Sequence, residues 1–308
     1  MIFEGSEKKL EVVFNDGGLL KKPTALWDEI VQASKAQILN DVETSDLIAF
    51  LLSESSLFVW DDRILMITCG TTTLANAADK IVEKFGKENI QSLIFQRKNE
   101  YCGHLQNSSF FDDQKLLDEH FDSKAIRFGN YDEHHLFLYH LTKEYIPEKD
   151  DETFELLAYN LRSDIIDFLT KSQSKEDLRN FFEFEKHFKD YILDDFVFKP
   201  YGYSINGIKG SDYFTIHITP QDCHSYVSFE SSLDLSEIAE TFLPHFLKAL
   251  KPDSFDFISF SPEKHFTYEH PKFQVKKRVE DKIDCGYYVS FTHYFNPKVQ
   301  AIKPINLK

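Results

Sequence analysis

Residues 51–59, Leu-Leu-Ser-Glu-Ser-Ser-Leu-Phe-Val, place three serines and a carboxylate between two apolar, strand-prone runs. Taken locally, such small polar residues read as an ordinary strand connection. Glu-Ser has chemistry of its own, however. A serine hydroxyl on a strained turn can attack the carbonyl of the residue before it, turning the Glu54–Ser55 amide into an ester. If a base then removes the Ser55 α-proton, the ester leaves by elimination. Hydrolysis of the resulting dehydroalanine puts a pyruvoyl group at a new chain terminus. That carbonyl is a built-in cofactor, able to condense with a substrate amine and accept electrons as pyridoxal phosphate does elsewhere.

Such a residue needs elements to hold it. Residues 46–52 read as a strand, and residues 57–67 as a hairpin broken at Asp61-Asp62, with Ser55 just ahead of its first strand. Before them, Leu10, Val12 and Phe14 alternate with Glu11 on a first strand, and residues 24–39 have the apolar spacing of a helix. Cys69-Gly70-Thr71-Thr72-Thr73 leads into an expected helix over 74–85 with Gly86 as its stop. Residues 91–97 and 135–141 read as strands, 102–129 as polar loop, and 154–188 as mostly helical. Strands are expected over 213–219, 224–230 and 255–260, a helix over 236–250 kinked at Pro244, and two more strands within 274–295. Strand, strand, helix, strand thus occurs twice, which suggests two similar α+β halves with stacked sheets and helices outside.

Composition narrows the function. With 51 acidic and 35 basic residues the formal charge is −16, which disfavours nucleic acid and suits a cationic small molecule. The aromatic fraction of 15% suits broad sheet faces. Cys69, Cys102, Cys223 and Cys285 have no Cys-x-x-Cys spacing, so neither a structural metal nor a disulfide framework is expected. The N-terminal residues lack an apolar leader and the longest apolar run is too short for a membrane span, so a soluble cytoplasmic protein is expected.

Four separated motifs resemble the eukaryotic S-adenosylmethionine decarboxylase family. They are Phe3-Glu4-Gly5-Ser6-Glu7-Lys8, Leu52-Ser53-Glu54-Ser55-Ser56, Thr68-Cys69-Gly70-Thr71-Thr72, and a long one from Gly202-Tyr203-Ser204-Ile205-Asn206-Gly207 through Phe214 to Pro220 and Ser225 to Glu230. The resemblance implies a single domain over residues 1–308, built as a four-layer αββα sandwich of two antiparallel sheets. It also implies self-cleavage into chains 1–54 and 55–308, the small chain staying as a partner of the large one. Ser55 would become the pyruvoyl group, the sole prosthetic group, without pyridoxal phosphate or metal, and would form a Schiff base with S-adenosylmethionine. His217 matches the base for the Ser55 α-proton, with Ser204 assisting, and Cys69 the acid that reprotonates the substrate carbon. Glu4 and Glu7 match acidic residues of the site. Phe3 and Phe198 match two rings that sandwich the adenine; Glu54 and Gln221 fall at substrate positions. The product would be the aminopropyl donor for spermidine and spermine.

The chain departs from the family at Gln221, where a glutamate usually grips the ribose hydroxyls, at a cost of about 1 kcal/mol or somewhat more. Glu11, Asp151, Thr153, Glu155 and Glu230 match an acidic pocket for putrescine in stimulated members, yet Ile67 replaces a lysine there and Gln96 a serine. An acidic network neutralised by Arg97 or a neighbouring lysine, without a ligand, is the alternative. The second functional reading is an uncleaved or weakly active regulatory paralogue that binds an active decarboxylase; monomers and homodimers both occur in the family.

Overall fold

The computed structural model describes residues 6–171, 174–221 and 225–298. Each half of the chain contributes one eight-stranded sheet, antiparallel at every pairing. The first holds β1 (Lys8–Phe14), β2 (Ile38–Glu43), β3 (Ile48–Leu52), β4 (Ser55–Val59), β5 (Arg63–Thr68), β6 (Ile90–Lys98), β7 (Ser123–Gly129) and β8 (His135–Leu141), in the order β2-β3-β4-β5-β1-β6-β8-β7. The second holds β9 (Thr153–Leu161), β10 (Ile192–Val197), β11 (Tyr203–Lys209), β12 (Asp212–Thr219), β13 (Tyr226–Ser231), β14 (Pro252–Ser261), β15 (Gln274–Lys282) and β16 (Tyr288–Phe295), in the order β10-β11-β12-β13-β9-β14-β16-β15. Adding eight to every strand number of the first sheet reproduces the second, so the two halves share one topology.

Alternation along the central strands builds the four layers. On β1, Leu10, Val12 and Phe14 pack under helices α1 (Thr24–Ala33), α2 (Leu74–Phe85) and α3 (Phe110–Asp118). On the second sheet, Leu156, Phe214, Phe229 and Phe257 pack under α4 (Ser163–Lys171), α5 (Lys175–Phe182), α6 (Phe184–His187), α7 (Leu235–Glu240) and α8 (Phe242–Leu250). The opposite faces meet across the middle in two apolar patches. One joins Val13, Ile94 and Leu138 to Leu157, Ile258 and Phe291; the other joins Phe58, Leu65 and Ile67 to Ile208 and Tyr213. The αββα expectation is therefore met. Among the described residues no helix is long and apolar enough to cross a membrane.

Several local expectations are corrected. The first helix stops at Ala33 because Lys35 takes a left-handed backbone, and Ile38–Glu43 turns back as a strand. The supposed loop over 102–129 contains α3, started by a reciprocal Ser109–Asp112 capping box, and the strand β7. Residues 153–161 form a central strand rather than helix; buried on both faces, its Leu-Leu-Ala run has no alternation to reveal it. The break in the 236–250 helix falls at Thr241, since Pro244 sits in the first turn of α8, where no backbone N–H is required. Strands β10 and β11 went unrecognised, and Ser55 is the first residue of β4 rather than its forerunner.

Candidate active site

The β3–β4 hairpin is two residues long, Ser53 and Glu54, so Leu52 pairs directly with Ser55. The geometry concentrates strain at Ser55, whose φ is 141°, a region that side-chain-bearing residues rarely occupy. Its hydroxyl is buried and has no hydrogen-bond partner. Ser55 pairs across with Thr68 on β5, which brings the following residue, Cys69, onto the Glu54 carbonyl. That oxygen accepts from the Cys69 backbone N–H at 3.0 Å and from the thiol at 3.2 Å. The bond preceding Ser55 thus carries a polarised carbonyl, and beside it stands a hydroxyl with nothing else to bind.

The second sheet supplies the groups facing this hairpin. Ser204 on β11 pairs in register with His217 on β12, and the hydroxyl lies 2.7 Å from the imidazole Nδ1. Burial pushes the His217 pKa down to about 4, the nearby Glu54 carbonyl opposing the shift only in part, so the ring is neutral at pH 7 and able to take a proton. Two places along β11, Asn206 accepts from Ser56 at 2.6 Å and from Thr215 at 2.9 Å, and its amide reaches back to the Phe50 carbonyl at 3.3 Å. This buried knot clamps the hairpin to the opposite sheet. The sequence alone assigns none of Ser56, Asn206 and Thr215 a role, although Ser56 and Asn206 both lie within the motifs quoted above.

Glu7 enters from the first sheet just ahead of β1. It accepts from Ser228 at 2.5 Å, and burial pushes its pKa up to about 8. The neighbouring Lys8 is buried and donates to the Gly70 carbonyl at 2.9 Å and to Gln106 at 3.0 Å, which fixes the turn following Cys69. The thiol itself is raised well above its ordinary pKa by burial, with the Glu54 and Glu7 charges adding to the effect. Glu54 is pushed up to about 7, again chiefly by burial. A cavity of about 410 Å³ opens beside these groups, lined by Glu54, Cys69, Phe198, Ser204, His217 and Gln221. Glu54, Ser55, Cys69, Ser204, His217, Phe198 and Gln221 are thereby gathered at one place. Phe3 and Glu4 lie outside the described residues, as does Asp222 beside Gln221.

The five residues matched to a diamine pocket divide into two groups. Glu155 and Glu230 face each other across the β9–β13 pairing, with Lys9 between them at 3.1 and 2.7 Å. Lys98 also pairs with Glu155, and Tyr213 donates to Glu230 at 2.7 Å. Glu11, Asp151 and Thr153 line a separate cavity of about 280 Å³. There Arg63 grips Asp151 through both guanidinium nitrogens, at 2.6 and 2.5 Å, and reaches Glu11 at 3.2 Å. Arg97 takes no part; it pairs with Glu100 and Asp113. Gln96 accepts from Lys98 at 3.0 Å.

The family model described as adenosylmethionine decarboxylase matches residues 1–295. An S-adenosylmethionine decarboxylase proenzyme from Trypanosoma brucei brucei is 34% identical over 253 residues, covering 75% of this chain and 68% of the relative. The proenzyme of Dictyostelium discoideum is 28% identical, covering 95% of this chain and 85% of the relative. A solved structure, the Trypanosoma brucei AdoMetDC-delta26 monomer, aligns with a TM-score of 0.61 at 26% identity, covering 78% of this chain and 98% of that one. The chain belongs to the adenosylmethionine decarboxylase family.

Proposed function

We propose that the Glu54–Ser55 peptide is the site of self-cleavage and that the pyruvoyl group made from Ser55 serves as the prosthetic group. The enzyme is an S-adenosylmethionine decarboxylase of polyamine biosynthesis. The observation that carries the cleavage reading is the Glu54 carbonyl, held by the Cys69 N–H and thiol next to a strained, unpartnered Ser55 hydroxyl. An ester is less stable than the amide it replaces, so the shift needs help from both ends. Relief of the positive φ at Ser55 contributes about 1–3 kcal/mol. Each donor aimed at the oxygen where charge develops lowers the barrier by about 3 kcal/mol.

The steps need no oxidant or reductant, only one water taken up and one ammonia released. The Ser55 hydroxyl adds to the Glu54 carbonyl carbon, the C–N bond breaks, and the released nitrogen becomes an amine. Neutral His217, oriented by Ser204, then takes the Ser55 α-proton. Glu54 departs as the carboxylate end of the small chain. Water replaces the nitrogen of the dehydroalanine as ammonia, leaving the carbonyl.

The residues present fit that group: Ser55 is buried between Leu52 and Thr68, and the cavity lined by the preceding Glu54 admits a nucleoside-sized molecule. When formed, the group supplies a carbonyl that binds the substrate amine and an electron sink for loss of carbon dioxide. Cys69, its thiol kept protonated by burial, holds the proton for the substrate carbon. Glu7 is poised to lose its proton when a sulfonium or ammonium cation comes near, turning a buried neutral acid into a paired carboxylate. Phe198 offers a ring to the adenine. Gln221 offers an amide in place of the usual carboxylate.

The acidic pocket at Glu11 and Asp151 has the carboxylates a diamine would need, but Arg63 already occupies the place of the cation, which favours a network without a ligand. The test of the main reading is intact mass under denaturing conditions. Two chains split between residues 54 and 55, the larger with a blocked N-terminus, are expected from the native sequence and a single chain from Ser55→Ala. A native chain that never splits would overturn the reading and favour the regulatory paralogue.

A further inference from the structure

A second cluster lies in the outer helical layer, away from both sheets' facing surfaces. Glu183 takes a left-handed backbone between α5 and α6, and His187 ends α6 four residues later on the same side. His245, on α8, comes up against them. The His187 and His245 rings are 5.2 Å apart, and their ligand atoms and a Glu183 oxygen all lie within 4.8 Å of one another.

The important detail is what these atoms lack. The Nε2 atoms of His187 and His245 are both buried and without a hydrogen-bond partner. A buried imidazole nitrogen normally finds one, and two orphans on neighbouring rings need an explanation. Direct bonding to Glu183 does not supply it, because the His187 Nε2 to Glu183 Oε2 distance is 3.9 Å. That gap is too long for a hydrogen bond. It is spanned at a wide angle by one ion with ligand bonds of about 2.1 Å.

We propose that Glu183, His187 and His245 form a binding site for a borderline divalent transition-metal ion, Zn²⁺ or Co²⁺ rather than Mg²⁺ or Ca²⁺. Two imidazoles and one carboxylate are the donor set that selects such ions. The rings are held in place by packing: Phe242, fully buried, stands edge-on to His187 with centroids 5.4 Å apart. Lys186 bonds Glu183 at 2.5 Å, but its side chain is 69% exposed, and a surface pair of this kind yields easily to a divalent ion. A bound ion would tie α6 to α8 across the layer that backs β12 and β13.

The other histidine cluster, His134, Asp256 and His293, shows the contrast. Both Nδ1 atoms there already meet the buried Asp256 carboxylate, at 3.0 and 2.6 Å, so a metal taking those atoms would have to break two hydrogen bonds. It serves as the internal control.

The test is titration of the purified, metal-stripped full chain with Co²⁺, read by visible absorption, and with Zn²⁺, read by calorimetry and melting temperature. The expected result is one site per chain, with affinity at least ten-fold weaker in His245→Ala and in Glu183→Gln, unchanged in His293→Ala, and several-fold tighter in Lys186→Gln. The Lys186 variant is exposed and tests the site without touching a ligand. No ion bound by the native chain, affinity kept in both His245→Ala and Glu183→Gln, or affinity lost in His293→Ala would each overturn the proposal.

Discussion

Lys9 stands directly across from Ile67 in the β1–β5 pairing, and its ammonium lies 2.7 Å from Glu230 and 3.1 Å from Glu155. A lysine on the strand next to Ile67 thus carries a positive charge into this acidic pair. All three side chains are nearly fully buried, and the two carboxylates hold the Lys9 pKa above its ordinary value despite burial. Removing one partner from such a group leaves charge unpaired in the interior. Lys9→Leu is therefore expected to destabilise the fold by about 3–5 kcal/mol, read from urea denaturation. Adding Glu230→Gln to that variant should restore part of the loss, because Tyr213 can still bond the amide. A change below about 1 kcal/mol in the single variant would mean that Lys9 does not hold the pair together.

The processing steps separate by variant. His217→Ala retains the Ser55 hydroxyl and the Cys69 donors on Glu54, so the acyl shift proceeds while proton removal stalls. The chain should run at full length, yet hydroxylamine should divide it after Glu54, because hydroxylamine attacks esters far faster than amides. Ser55→Ala, lacking the nucleophile, should resist the same treatment. If His217→Ala divides spontaneously at the native rate, the base is another residue.

Much of this site was legible because its chemistry depends on local words. Glu54-Ser55 could be picked from the chain for its own chemistry, whereas Cys69, Ser204 and His217 stood out only through the motifs that resemble the family. Lys9 and Arg63 could not be picked out, since their meaning depends on which carboxylates the opposite sheet presents, and Glu155 was read within a helical stretch. The doubling of the halves was legible as strand, strand, helix, strand occurring twice, but three strands of the second sheet were not. Buried on both faces, β9 showed no alternation, and β10 follows closely on the charged helices α5 and α6. Glu183, His187 and His245 carried no signal beyond the i, i+4 spacing of the first two; only folding brings α8 beside them.

Glu7 confers a definite pH dependence. Its pKa rises on folding from 4.5 to about 8, so the folded state favours the neutral acid. The unfolded chain releases this proton near pH 4.5 and the folded one only near 8. The stabilising contribution is thus complete below pH 4.5 and is lost as pH rises toward 8, by a few kcal/mol at most. Glu54, raised to about 7, adds a slope of the same sign over the lower part of that window. Glu7→Gln should flatten the fall of stability between pH 5 and 8, leaving the part due to Glu54. A slope identical to that of the native protein would show that Glu7 is not the titrating group.

Arg63 decides how the acidic cavity responds to diamines. Its guanidinium neutralises Asp151 through two bonds and Glu11 through a third contact, and Tyr287 donates to the same Asp151 carboxylate at 2.6 Å. An external diamine would have to displace a cation already tethered in place, with no entropy of association to lose. Arg63→Met keeps the apolar stem and removes the charge, leaving two carboxylates facing a cavity of about 280 Å³. Thermal unfolding with and without putrescine is the check. The native protein is expected to show no shift at millimolar diamine, whereas Arg63→Met should melt lower on its own and rise as diamine is added, by about 2.7 kcal/mol at a hundred times its dissociation constant. An equal rise in the native protein would show that the arginine swings out, and that the pocket takes a diamine with Arg63 present.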